Sequence, residues 1–351
     1  MIECAKGLAD SARIGNLVLF FGAGISVGAG LPGWRDLLQQ LAHELEWDEE
    51  DIARLGDLDF RDQATVLKSL PGTDIGERVA DLLKNPQQRY SLAHGLLASI
   101  RAMQAITTNY DDLYEAACKA ADIDDKTQQL DVLPYESVSD GGRWLLKLHG
   151  TLEHHDSITL TREDYQSLAR NHGALLGLVQ GMLLTKHMLF VGYSLTDEDF
   201  HEVMAEVRLA RAKTKAGKEL GTQEDKAKAE ENEAQIEDKV GTVVTPFEDG
   251  IFAKLWDSDL NIRALGGPPA SRAKDEIEKR GRVLEIFLDC LALHAADLDR
   301  FLLDETYSGM LDDDELQLKQ AIGALRDALP ESDSLPRWSK VRRLVNDFGG
   351  S

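Results

Sequence analysis

The stretch Asn16-Leu-Val-Leu-Phe-Phe-Gly-Ala-Gly-Ile-Ser-Val-Gly-Ala-Gly-Leu-Pro-Gly-Trp-Arg-Asp36 organises this chain. Leu17 to Phe21 are apolar without alternation, the pattern of a strand buried on both faces of a parallel sheet. Gly22, Gly24, Gly28 and Gly30 follow in a loop with few Cβ atoms, which lets the backbone approach a phosphate and aim N–H groups at it. Pro32, Gly33 and Trp34 close the loop. Asp36 then opens an apolar-periodic helix through Leu37, Leu38 and Leu41. Strand, glycine loop and helix make the start of a nucleotide-binding α/β unit. The dinucleotide fingerprint G-x-G-x-x-G fails at its third glycine, where Val27 stands. On this stretch alone, an ordinary glycine-rich loop and a ligand loop both remain open.

Composition narrows the classes. A length of 351 residues accommodates a large domain with an appendage, and 43% hydrophobic residues supply a sizeable core. No apolar run is long enough to cross a bilayer. The N-terminus Met1-Ile-Glu-Cys-Ala-Lys6 has no basic segment followed by an apolar one. Cys4, Cys118 and Cys290 form neither a disulfide framework nor a C-x-x-C metal knuckle. A soluble cytoplasmic protein without membrane attachment is expected. The net charge of −23 argues against direct nucleic-acid binding, which needs a basic surface. A small anion remains compatible, because a glycine loop, a helix N-terminus and one arginine, here Arg35, hold a pyrophosphate inside an acidic protein.

Residues 37–100 read as helices joined by short breaks, a helical module beside the cleft. Met103 to Thr108 form a strand candidate ending in Asn109-Tyr-Asp-Asp112, and an apolar helix follows. Ligands of open α/β sheets bind beyond the C-terminal strand ends, so Asn109 and Asp111 are candidates, weighed against a plain turn with an N-cap. Asp112 reads as the cap. Arg143 to Leu148 form another strand, ending in His149-Gly-Thr151, a good place for a general base. His154 and His155 read as solvated, and no cysteines or i, i+4 pair nearby support metal binding. Ser157 to Thr161 read as a short edge strand, with a capping box at Thr161-Arg-Glu-Asp164. His187 to Gly192 form a buried strand ending in Tyr193-Ser194-Leu-Thr-Asp197, where a helix starts. This second small-residue turn suits a phosphate or ribose. Residues 213–239 read as a charged, solvated insertion. A last small β-α-β run closes the core near residue 269. This gives a domain over 1–269 and a C-terminal helical region over 270–351, with helices over 271–304, 312–329 and 335–348.

Four strand ends fall in order: Gly22-Ala-Gly-Ile-Ser26, Thr107-Thr-Asn-Tyr-Asp111, Lys147-Leu-His-Gly150 and Gly192-Tyr-Ser194. Together with Gly30-Leu-Pro-Gly-Trp-Arg35, this series resembles the sirtuin family. The resemblance covers about residues 16–200. It implies an α/β, Rossmann-like parallel sheet with helices on both faces, a helical module beside an NAD cleft and a C-terminal helical tail. It also implies roles. Gly22, Ala23, Gly24 and Ser26 cradle the pyrophosphate and ribose, Trp34 stands over the nicotinamide ribose, and Arg35 follows it. Thr108, Asn109 and Asp111 lie on the nicotinamide side, and His149 is the catalytic histidine. Gly192, Ser194 and Asp197 hold the adenosine-side ribose or phosphate. Tyr110 departs from the family's aliphatic residue.

The four-cysteine zinc module of deacetylating sirtuins has no counterpart here, so no metal is expected. The chain is more similar to the zinc-free sirtuin-like group of bacterial antiviral systems. There the implied activity is hydrolysis of NAD+, depleting it in the infected cell (abortive infection). That analogy carries further expectations: a homo-oligomer and a partner ATPase of the HerA translocase type. The different class of function still open is a non-catalytic sensor or scaffold that binds NAD or ADP-ribose.

Overall fold

The computed structural model describes residues 1–84, 87–100, 102–121, 130–139, 141–219, 239–268, 274–296, 302–303, 308–309 and 311–329, with isolated positions at 338, 341, 342, 345 and 348. Seven strands form one fully parallel sheet: β1 (Leu17–Phe21), β2 (Gln104–Thr107), β3 (Leu130–Leu133), β4 (Arg143–Lys147), β5 (His187–Val191), β6 (Gly241–Thr245) and β7 (Leu260–Ala264). Their order is β3-β4-β2-β1-β5-β6-β7. After β1 the chain builds outward to β2, β4 and β3, then returns to pair β5 on the other side of β1. The topological switch point therefore lies between β1 and β5, where open α/β sheets bind ligands.

Apolar runs become central strands because both faces are covered. Leu17, Leu19 and Phe21 enter one core, whereas Val18 and Phe20 enter the core on the opposite face. The first face is packed by α1 (Ile2–Arg13), α6 (Leu92–Ser99), α7 (Leu113–Ala121) and α12 (Lys274–Ala295). The second is packed by α9 (Gly173–Thr185) and α10 (Glu198–Glu219), with α8 (Arg162–Asn171) before them. Thr161 caps α8 with the expected box: its hydroxyl accepts the Asp164 N–H, and Asp164 reaches back to the Thr161 N–H. The helix expected at Asp36 begins at Trp34, so α2 is Trp34–Glu44.

The helical module is α2 with α3 (Glu49–Leu55), α4 (Phe60–Lys68) and α5 (Ile75–Leu83). Its own core is built from Leu38, Leu41, Leu67 and Val79. That core also takes in Tyr110 and Leu152 from the loops after β2 and β4, which seats the module over the strand ends. Burying each such leucine contributes about 2 kcal/mol.

The structure corrects one expectation and adds two elements. Residues 158–160 form no strand; they are an extended segment whose Thr159 N–H donates to the His149 carbonyl at 2.9 Å. Two elements absent from the sequence reading are present, helix α1 and edge strand β3. The first compact unit runs Met1–Ala295. The reason is packing: α12 sends Phe287, Leu288 and Leu291 into the same core as Leu8 of α1. Between β6 and β7 lies α11 (Gly250–Trp256), as read. The second unit, Ala296–Ser351, contains α13 (Asp313–Ala328), capped by an Asp312–Glu315 box. Of the charged stretch, 213–219 continue α10, and 220–238 lie outside the described residues. Much of the helix expected over 335–348 also lies outside them. No described helix is long and apolar enough to cross a membrane.

Candidate active site

At the switch point the loops after β1 and β5 interlock. The Gly24 N–H donates to the Gly192 carbonyl at 2.9 Å, and the Gly22 N–H donates to the Val191 carbonyl at 3.2 Å. A Cβ on Gly24 would come within 2.8 Å of the Gly192 Cα, and one on Gly192 within 2.7 Å of the Ile25 nitrogen. Gly192 also holds φ +61°, which an L side chain resists. These glycines bring backbone against backbone. The two loops expected to hold opposite ends of a dinucleotide are thereby one surface.

Ser26 is the hub of the first polar group. Its hydroxyl donates to Asp111 Oδ2 at 2.9 Å and accepts from Asn109 Nδ2 at 3.1 Å. The ring of His94, on α6, stands 3.4 Å away through Nε2. The backbone N–H of Ser91 donates to His94 Nδ1 at 3.2 Å, so Nε2 carries the ring proton and donates to Ser26. Burial holds His94 below the ordinary imidazole range, which keeps that neutral tautomer. One donated and two accepted bonds exhaust a hydroxyl. Ser26 therefore serves to hold Asn109. The same bonds orient the Asn109 amide and leave Oδ1 buried without a partner. Asp111 also accepts the Leu113 N–H through Oδ1 at 3.2 Å, while the Asp112 carbonyl accepts the Ala116 N–H at 2.9 Å and so holds the N-cap position of α7.

Three further side chains fix the loop after β2. The Thr107 hydroxyl donates to the Phe21 carbonyl at 3.0 Å and accepts the Asn109 N–H at 3.0 Å. Lys147, fully buried in β4, donates to the Asp111 carbonyl at 2.6 Å, the Tyr110 carbonyl at 3.2 Å and Glu115 at 2.8 Å. The Tyr110 hydroxyl donates to the Thr159 carbonyl at 2.5 Å, and its ring meets Trp34 edge-on at 5.7 Å. Tyr110 is thus a strut between the β2 loop, the segment after β4 and the helical module.

His149 belongs to a second group. It follows β4, next to β2 in the sheet, with the Leu148 N–H donating to the Thr107 carbonyl at 2.9 Å. Gly150 makes this placement possible at φ +94°, where a Cβ would lie 2.3 Å from the Ser157 carbonyl oxygen. A small cavity beside the ring is walled by Phe20, Val179, Phe200 and Val203, with Thr108 and Asp197 at its edge. His149 is 2% exposed. Burial pushes its pKa below the ordinary 6.5, with Asp197 opposing the shift. Asp199 stands 3.8 Å away from Nε2 to Oδ2, and that oxygen has no hydrogen bond. Burial, then the nearby Asp197, Glu202 and Glu198, push Asp199 up to about 7. The Tyr165 ring meets His149 edge-on at 5.2 Å, and its buried hydroxyl is also unpartnered.

The predicted residues therefore divide. Asn109, Asp111 and Ser26 come together; His149, Thr108 and Asp197 come together on the neighbouring strand end; no hydrogen bond joins Asn109 to His149. Ala23 is half-buried in the interlocked loop, and Ser194 is exposed, its hydroxyl paired with Thr196 at 2.7 Å. Trp34 packs on Phe60 at 5.6 Å, and Arg35 beside it is exposed with no ion pair among the described residues. Sequence reading missed His94, Asp199 and Lys147. Lys147 carried a signal, a charge closing the apolar run Trp144-Leu-Leu146; the other two lie within helices where nothing local marks them. Among the described residues, no group of three His, Cys, Asp or Glu side chains is placed to hold a metal ion.

Comparison with known proteins points the same way. A family model described as SIR2-like domain matches residues 104–243, the segment holding Asn109, His149 and Gly192. An NAD(+) hydrolase ThsA of Enterococcus faecium is 28% identical over 206 residues, covering 58% of this chain and 42% of its own length. The ThsA of Bacillus cereus (strain MSX-D12) is 27% identical over 234 residues, 64% and 47% of the respective chains. Defense-associated sirtuin 2 of Bacillus subtilis is 24% identical over 221 residues, 59% of this chain and 21% of its own. The chain spans less than half the length of these curated relatives.

Proposed function

We propose that this chain is an NAD+ glycohydrolase that cleaves NAD+ to nicotinamide and ADP-ribose and depletes it in bacterial antiphage defence. One observation carries the reading. Asn109 and His149 stand beyond the C-terminal ends of the adjacent parallel strands β2 and β4, both buried, and Asn109 Oδ1 has no partner. The similarity to proteins named NAD(+) hydrolase supports the same reaction.

The chemistry asks little more of the protein. The bond joins ribose to a cationic leaving group and breaks through an oxocarbenium-like state, as in glycoside hydrolysis. Catalysis then needs positioning and a base. Burial keeps His149 neutral near pH 7 and able to accept a proton from water or a ribose hydroxyl. The free Asn109 Oδ1 accepts a hydrogen bond from that hydroxyl or water, held in place by Ser26. The Asp111 carboxyl beside it supports positive charge developing on the ribose. The interlocked glycine loops, with Trp34 and Arg35, line the path of the rest of the dinucleotide.

The test is incubation of purified protein with NAD+ and mass spectrometry of the products. Nicotinamide and ADP-ribose are expected from wild type and not from Asn109→Ala or His149→Ala. Tight NAD+ binding without turnover in every condition would leave a sensor or scaffold instead. A defence effector also has to be restrained, and we place it in a homo-oligomer working with a partner ATPase of the HerA type. The sirtuin-like resemblance and the separate unit after Ala295 support this. Light scattering on the full chain checks it: a monomer at all concentrations removes the oligomer.

A further inference from the structure

Asp199 is a buried acid that the proposed cleavage leaves without a task. It lies in the first turn of α10, 7% exposed, and its Oδ2 has no hydrogen-bond partner. That oxygen faces His149 Nε2 across 3.8 Å, between walls formed by Phe20, Val179, Phe200 and Val203. Buried carboxyl groups are normally paired, and an unpaired one beside a functional ring calls for an explanation. The separation lies just beyond hydrogen-bond length. Such bonds are often loose until substrate closes a site.

We propose that Asp199 is the positioning residue of His149: its carboxyl holds the imidazole by Nε2 and supplies the countercharge when the ring takes a proton. The inference rests on the reading of His149 as the base. In the step, an O–H bond of the attacking water breaks and its proton passes to the ring nitrogen left free. The oxygen's electron pair forms the new bond to the anomeric carbon, and the N-glycosidic pair leaves with nicotinamide. The imidazolium formed is stabilised by Asp199 as carboxylate, as opposite charge within a few ångströms favours the charged ring.

The surroundings agree. Burial holds His149 below its ordinary range and raises Asp199 to about 7, so the charged form of each is disfavoured until a partner charge appears beside it. Facing the pair are Asp197, Glu198 and Glu202 at the start of α10, Arg61 from α4, and Tyr165 and His172 from α8 and its end. Of these, Arg61 is engaged by Asp59 and Glu198. No other group has an atom as near to Nε2 among the ion pairs of the described residues.

Labelled imidazole NMR of His149 against pH, in wild type and Asp199→Asn, reads the pair without needing turnover. The ring midpoint is expected to fall by about one pH unit in Asp199→Asn. The acid limb of kcat/KM should move down with it, kcat should fall about tenfold to hundredfold, and KM should stay within about twofold. Asp199→Glu should restore part of kcat. An unchanged ring titration and acid limb would overturn the proposal even if kcat fell. Should Asp199→Asn not fold, His149→Gln must shift the titration of the Asp199 carboxyl carbon, and an unmoved carboxyl overturns it equally. If wild type fails to cleave NAD+ while the ring still shifts in Asp199→Asn, the pair stands and the cleavage reading falls.

Discussion

Ser26 and His149 stand at the same edge of one sheet, and their surroundings are opposites. Around Ser26, three polar side chains meet a hydroxyl whose donor and both lone pairs are used. The supporting helix packs on the face of Leu19 and Phe21. Around His149 the walls are apolar, on the face of Phe20, and Asp199 and Tyr165 keep unpartnered oxygens. A filled network fixes positions because every member holds the next. An unfilled one leaves protonation free to change. One side of the strand ends is built to place Asn109, the other to move a proton.

The contrast breaks most easily at His149. His149→Ala is expected to lower kcat by about two to four orders of magnitude with only a small loss in thermal midpoint at neutral pH, since Asp199 approaches the ring no closer than 3.8 Å. Measured together, the two readings decide; a collapse in stability would make the ring a structural support like Ser26. Next comes Lys147→Met. It leaves Glu115 and two loop carbonyls without their cation, and urea unfolding should show a loss of about 3 kcal/mol. Ser26→Ala strands Asn109 Nδ2, Asp111 Oδ2 and His94 Nε2. It should cost about 1–3 kcal/mol in the same experiment and lower kcat about tenfold. Stability unchanged in that variant would deny the hub.

The smallest effect sharpens the comparison within the second group. His149 has a folded pKa lowered from 6.5, so its contribution is present above that value and is lost as pH falls below it. Asp199 is raised from 3.8 to about 7, so its contribution is present below 3.8 and is lost as pH rises through about 7. Thermal midpoints across pH 4–9 should therefore show His149→Ala flattening a rise with pH below 6.5 and Asp199→Asn flattening a fall with pH between about 4 and 7. The same flattening in both variants would mean the two groups do not oppose one another.

Local signals carried most of the architecture. The run Leu17–Phe21, the glycines after it, the polar residues closing Thr107 and Lys147, and the Thr161–Asp164 box each act within a few residues, where propensity and period apply. These made the parallel sheet, the helical module and the positions of Asn109, Asp111 and His149 readable. Helix α1 and strand β3 escaped because neither is marked locally. Ile2–Arg13 is a helix that gains its place by packing on α12, which is remote in the sequence, at Lys274–Ala295.

What residue type and spacing left open was the company each side chain keeps. Asn109 and His149 share a strand-end position, but the partners that define them come from the loop after β1 and from α10, brought in by the order in which the strands pair. The glycine loop shows the same division. Its glycines announced a close approach from the sequence alone. That they meet the Gly192 backbone, and that Ser26 spends its hydroxyl on Asn109 and Asp111, follows from β5 returning beside β1. Spacing along the chain sets which residues reach a strand end, whereas strand pairing and burial set what each meets there.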